Sequence, residues 1–206
     1  MVRSICRIAP YALAGLSGDT LAHHFMDDAL PQTFVQGLLS GLGHPLIGPD
    51  HAAFILAAGF ALALVARGMW GVAALIAGSL LGAALHLWGV ELPWGETGIA
   101  LSVVLVGGLV LARRTIPLAL LAGGIAVAGM LHGHAYAESI FGAEAAPLGA
   151  YLVGFSITQL CVAAGALLVH RSLTAANRQW AAAASAALGA IAVVTGGVFL
   201  VTGAAG

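Results

Sequence analysis

Residues 33–67 read TFVQGLLSGLGHPLIGPDHAAFILAAGFALALVAR, and the two halves of this stretch behave differently. Residues 50–67 form a nearly continuous apolar run closed by Arg67, close to the 20 or so residues that cross a bilayer. Residues 33–48 are shorter, contain Gly37, Gly41, Gly43 and Gly48, and carry Gln36, His44 and Pro45. That composition predicts a broken or re-entrant helix ahead of the first full span. Interrupted backbone is tolerated in a membrane only where it is buried in protein or lines a wet cavity, so a functional position is expected here.

Working outward, five further apolar segments follow at 69–89, 95–112, 115–135, 147–170 and 177–203, separated by short polar punctuation. The expected fold is an all-α transmembrane bundle of six full spans plus the short 33–48 segment, which either re-enters or makes a seventh, N-terminal span. Re-entry is the preferred reading, because Gly, His and Pro weaken a full crossing. Small residues four apart, Gly37/Gly41 and Gly78/Gly82, predict closely packed helices. Residues 1–22 carry Arg3 and Arg7, a short apolar stretch interrupted by Pro10, and small residues at Thr20 and Ala22. They read either as a signal peptide or as an uncleaved interfacial segment, with 23–206 as a single transmembrane domain.

Composition agrees. Of 206 residues, 61% are hydrophobic and 7% are charged, whereas a soluble domain needs about 25% charged residues to cover its surface. There is no lysine, which removes a P-loop and a Schiff-base centre. Neither ATP nor a nucleic acid is expected as a partner: the net charge is −1 and no basic run is present. Cys6 and Cys161 lie far apart and make no thiolate motif. Arg67, Arg113, Arg114, Arg171 and Arg178 fall in alternate loops, which marks that face as cytoplasmic. Asp50, Glu91, Glu96, Glu138 and Glu144, with most histidines, share the opposite, outer face.

Eight histidines are a large share of the polar residues in this chain. Imidazole with carboxylate suits borderline divalent metals such as nickel, cobalt, zinc and copper, and an ionisable group within a span points to function. In His44-Pro45-Leu46-Ile47-Gly48-Pro49-Asp50-His51 the prolines and glycine predict a turn that returns His44 toward Asp50 and His51. Asp50 is expected as a helix N-cap that either ligates a cation or orients a ligating histidine. In Leu131-His132-Gly133-His134-Ala135-Tyr136-Ala137-Glu138, a stripe of Gly124, Ala128 and His132 turns His132 toward a neighbouring helix, and His134 and Glu138 form an i,i+4 pair. His86 continues the Gly78/Gly82 stripe. Glu96, opening the next segment, is either a carboxylate favoured by the helix start or an outer ligand. His23 and His24, with Met26, Asp27 and Asp28, would make an external metal-collecting patch if they follow a cleaved signal peptide, and a solvated surface otherwise. Thr158 and Gln159 either line a path or bond between helices, and His170 beside Arg171 is expected at the interface.

The HPLIGPDH stretch, fitting His-Pro-x-x-Gly-x-Asp-His, and the HGHAYAES stretch resemble the HupE/UreJ family. These are membrane accessory proteins of hydrogenase and urease systems, regarded as nickel or nickel and cobalt permeases. HHFMDDALPQTFVQGLLSGLG and the His86 segment with its LPWGE extend the likeness over most of the chain. The resemblance implies metal-site roles for His44, Asp50 and His51, and also for His132, His134, Glu138, His86 and His23. Five residues separate His44 from Asp50, unlike the His-x4-Asp-His signature of the separate nickel–cobalt transporter family.

The expectation is therefore a non-enzymatic, secondary-type permease of a bacterial inner membrane. It would need no catalytic cofactor and would take Ni2+, or Co2+, Zn2+ or Cu2+, as bound substrate from outside to the cytoplasm. Lipid, and a metallochaperone or hydrogenase or urease maturation proteins, are the expected partners. Rival readings are an intramembrane metalloenzyme, for which no His-Glu-x-x-His helix is present, a non-transporting scaffold or sensor, and a haem protein ligated by His86 and His132.

Overall fold

The computed structural model describes residues 30–93 and 95–203. All regular structure among them is helical: α1 (Phe34–Ile47), α2 (Pro49–Ala63), α3 (Met69–Leu87), α4 (Gly95–Leu111), α5 (Leu118–Glu138), α6 (Ala145–Ala176) and α7 (Arg178–Gly203). Four of these, α3, α5, α6 and α7, are long and apolar enough to cross a membrane, and α1 with α2 passes as a fifth span bent by 78°. The expected span at 95–112 is an apolar helix of 17 residues. Exposed Leu105, Leu120, Val127, Leu168, Ile191 and Val194 give the outside of the bundle its apolar covering. Trp70 and Trp180, near the arginine loops, and Trp88, at the opposite end of α3, are all more than 60% exposed, as interfacial aromatic anchors are.

Helix α2 is the axis of the bundle. It contacts all six other helices, and 11 of its 15 residues are buried. A helix that is apolar over most of its length belongs in such a place, and Phe54, Ile55, Leu62, Leu75, Val103 and Leu167 belong to the core packed around it, with a second cluster about Tyr136, Tyr151 and Phe155.

The segment 33–48 departs from the re-entrant reading. Thr33 and Gln36 form a capping box, with the Gln36 amide donating to Thr33 Oγ1 at 3.2 Å and the Thr33 amide to Gln36 Oε1 at 3.1 Å. From there α1 runs without a break through Pro45. Its partner positions on α6 rise steadily: Gly37 lies against Pro147 and Gly41 against Tyr151, and in α2 Gly59 lies against Ala163. A segment that dipped and returned would reverse that order. Helices α1 and α2 are thus successive halves of one bent span with a single-residue joint at Gly48. Pro45 lies within α1 rather than in a turn, and Gly48 rather than Asp50 is the N-cap of α2, with Pro49 and Asp50 in its first turn.

At the arginine end, Arg171 of α6 donates from Nη2 to the Val65 carbonyl at 2.8 Å, satisfying backbone just beyond α2. His170 is not interfacial. It is buried, with Nε2 3.0 Å from Ser185 Oγ and its ring edge-on to Phe60.

Candidate metal centre

The joint at Gly48 brings three histidines together from three helices. The rings of His44 (α1) and His51 (α2) are 6.0 Å apart, and those of His51 and His132 (α5) are 4.9 Å apart. His132 is fully buried, while His51 and Asp50 are each 9% exposed. The Nδ1 atoms of His51 and His132 face each other at 2.7 Å, and Asp50 Oδ2 stands 3.8 Å from His51 Nδ1.

Hydrogen bonding decides which nitrogen of His132 carries its proton. Ser102 gives its hydroxyl proton to the Ile99 carbonyl at 2.7 Å, so its oxygen can only accept from His132 Nε2 at 3.0 Å. His132 Nδ1 is then left with a lone pair directed at His51. This is the arrangement of a ligating histidine, in which an outer partner holds one N–H and the other nitrogen is free to coordinate. Phe54 stacks on the His132 ring at 4.1 Å and 13°, fixing its plane. On the other side, Ser139 Oγ lies 3.2 Å from His44 Nδ1 and 3.0 Å from Tyr151 Oη, and the Tyr151 hydroxyl donates to the Tyr136 carbonyl at 2.7 Å. Tyr136 presents its ring edge-on to both His44 and His51. Imidazoles with a flanking carboxylate, in a pocket of aromatic rings and without thiolate, can hold a borderline divalent cation.

Gly48 is small because a methyl group there would meet His51 Cδ2 at 2.7 Å and Asp50 Oδ1 at 3.1 Å. Further along the bundle, Gln159 Nε2 donates to Ser79 Oγ at 2.9 Å and Thr158 Oγ1 to the Leu42 carbonyl at 2.8 Å. Both residues therefore bond between helices. Gln159 Oε1 and the Tyr136 hydroxyl are buried without a hydrogen-bond partner among the described residues.

The other expected ligands are placed elsewhere. His134 lies two residues from His132, and residues so spaced do not share a helix face. It joins His86 and Glu138 in a separate group toward the ends of α3 and α5. Those three are the donors that close to within 4.8 Å of one another among the described residues, rather than His44, Asp50 and His51. Glu96 is exposed in the first turn of α4, outside both groups. His23 and His24 lie outside the described residues. The packing stripe expected at Gly124, Ala128 and His132 is corrected in one member: Gly124 is exposed with nothing near it, and Gly129 and Gly133 make the close approach to α3. His86, expected with His132 as a haem ligand pair, packs instead edge-on against His134.

Sequence reasoning did not single out Phe54, Ser102, Tyr136, Ser139 or Tyr151 as supports. The signal was present for Ser102, a hydroxyl inside an otherwise apolar helix.

Protein HupE of Rhizobium leguminosarum bv. viciae is 33% identical over 126 residues, an alignment covering 60% of this chain and 63% of that protein. The chain thus spans less than two thirds of the curated relative it matches. No solved structure matches it. The family model described as HupE / UreJ protein matches residues 11–199, and the chain belongs to the HupE/UreJ family.

Proposed function

We propose that this protein is a secondary-type permease that carries a divalent transition metal, Ni2+ foremost and Co2+ next, from the outer face to the cytoplasm for metalloenzyme maturation. The observation that carries the reading is the buried His51–His132 pair, with facing Nδ1 atoms 2.7 Å apart at the joint of a bent span. Metal–nitrogen bonds are about 2.0–2.1 Å, so an ion taken by both nitrogens displaces the hydrogen bond between them and moves the two rings apart. Asp50 supplies negative charge beside them, and His44 a third imidazole.

The donor set suits transport. Nitrogen and carboxylate bind such ions without the firm hold of thiolate, and a conducted ion must leave as well as enter. In the absence of a nucleotide motif, the inside-negative potential supplies the drive, about 4.6 kcal/mol for a divalent ion at 100 mV. The protein has no catalytic role and no resident cofactor in this reading. It sits in the bacterial inner membrane and passes its cargo to maturation proteins or a metallochaperone.

The test is radioactive nickel uptake into liposomes holding the purified protein under an inside-negative potential, with cobalt, zinc and copper as competitors. Saturable uptake that is lost in His51→Ala and His132→Ala is the expected result. A folded wild type that binds nickel stoichiometrically and moves none would overturn the permease reading in favour of a sensor or scaffold.

A further inference from the structure

Helices α3 and α5 run parallel in close contact with a constant register. Gly78 lies against Ala126 and Gly82 against Met130, so each position on α3 faces the one 48 residues later on α5. Extended by one turn, the same register sets His86 opposite His134, and their rings meet edge to face at 4.5 Å. Glu138 follows one turn after His134 on the same face of α5. One nitrogen of each imidazole and a Glu138 carboxylate oxygen lie within 4.8 Å of one another.

Two further observations point to a ligand. His134 Nε2 lies 2.8 Å from the Val90 carbonyl, which can only accept, so that nitrogen carries the proton and Nδ1 keeps its lone pair. His86 Nδ1 is buried with no hydrogen-bond partner among the described residues, a costly state unless something else satisfies it. Phe141 covers the His86 ring at 5.5 Å. All five arginines among the described residues lie at the other end of the helices, so none competes for Glu138. Two imidazoles and one carboxylate with an open side are a ligand set for a borderline divalent ion.

We infer that His86, His134 and Glu138 form a second metal site, separate from the His51–His132 centre, which binds a divalent transition-metal ion at the outer mouth of the bundle. The choice of ion rests on the permease reading; the existence of the site does not. Glu138 is exposed while His51 and His132 are buried, so the outer site fills from water without opening the bundle and holds the ion before it moves inward.

The experiment counts Ni2+ bound per chain by equilibrium dialysis of the detergent-purified full chain, alongside the visible spectrum with Co2+. Wild type is compared with His134→Ala, Glu138→Gln and His51→Ala. The outer variants should each lose one equivalent, or have one equivalent's affinity weakened at least tenfold, together with a distinct part of the Co2+ spectrum. His51→Ala should keep that part. Glu138 is exposed, so Glu138→Gln leaves folding intact and remains decisive if His134→Ala does not fold. Unchanged stoichiometry and spectrum in Glu138→Gln and a folded His134→Ala overturn the proposal, as does a wild type that binds no nickel. Uptake is measured separately: transport without an outer equivalent sinks this site alone, and an outer equivalent without transport sinks the permease reading alone.

Discussion

Ser102 accepts a hydrogen bond from His132 Nε2 at 3.0 Å while spending its own proton on the Ile99 carbonyl, and so a serine of α4 sets the tautomer of a histidine on α5. Removing that acceptor leaves a buried N–H unpaired and frees the ring to adopt the other tautomer. Outer partners of this kind are typically worth about 10–100-fold in metal affinity. Ser102→Ala is expected to weaken nickel binding at the inner centre by about that factor while leaving Glu138-dependent binding unchanged. Titration of the variant in the presence and absence of Glu138→Gln checks this. Equal loss at both sites would count against a local role for Ser102.

Gly48→Ala tests the joint. The backbone there, φ −73° and ψ 114°, is open to alanine, so folding should survive. The added methyl meets the His51 ring at 2.7 Å, which is closer than packed carbons approach, and must displace it from its position beside His132. Nickel uptake should fall at least tenfold with a melting temperature close to that of wild type. Unimpaired uptake would show that the His51–His132 distance is not critical.

Gly82→Ala tests the α3–α5 register. Its Cβ would strike the Met130 carbonyl, and backbone does not yield as a side-chain tip can. Parting the helices should cost roughly 1–3 kcal/mol, as overpacking of a close contact does, and should loosen the His86–His134 pair one turn above. The checks are thermal unfolding and the outer nickel equivalent, and both should decline together.

Arg171→Ala separates stability from metal handling. The lost bond to the Val65 carbonyl joins exposed groups, so about 1 kcal/mol is the scale of the effect. A small drop in melting temperature with unchanged nickel stoichiometry is expected. A change in stoichiometry would mean that the arginine end of the bundle reaches the metal centres.

Much of the architecture was legible in the chain because membrane helices announce themselves by length and by where arginines interrupt them. The 33–48 segment was misread for a physical reason: glycine and proline weaken a helix locally, but the small residues here serve the close fit of α1 on α6, with Gly37 against Pro147 and Gly41 against Tyr151. Spacing alone could not separate that use from a re-entrant loop. Helical phase separates His132 from the His134–Glu138 pair already in the sequence, since i and i+2 diverge, and the structure keeps them in different groups. The pairing of His86 with His134 required a register between two helices, which one sequence does not state, although the glycine stripes hold half of it. Phe54 acts through His132 and nothing in its own neighbourhood announces that, whereas Ser102 stands out as a hydroxyl in an apolar run without naming its partner.

The joint at Gly48 has an electrical consequence. Each helix end carries roughly half an elementary charge, positive at the amide end and negative at the carbonyl end, and here the carbonyl end of α1 abuts the amide end of α2 inside the bundle. Left alone, the two would cancel and a cation would gain nothing by being there. Asp50, in the first turn of α2, neutralises the positive end and leaves the negative end of α1 unopposed beside His44. The break in the span thus gives a standing attraction for a cation at a depth where water is scarce, and replacing Asp50 would do more than remove one oxygen: it would let the two helix ends cancel and so abolish the field that the ion meets.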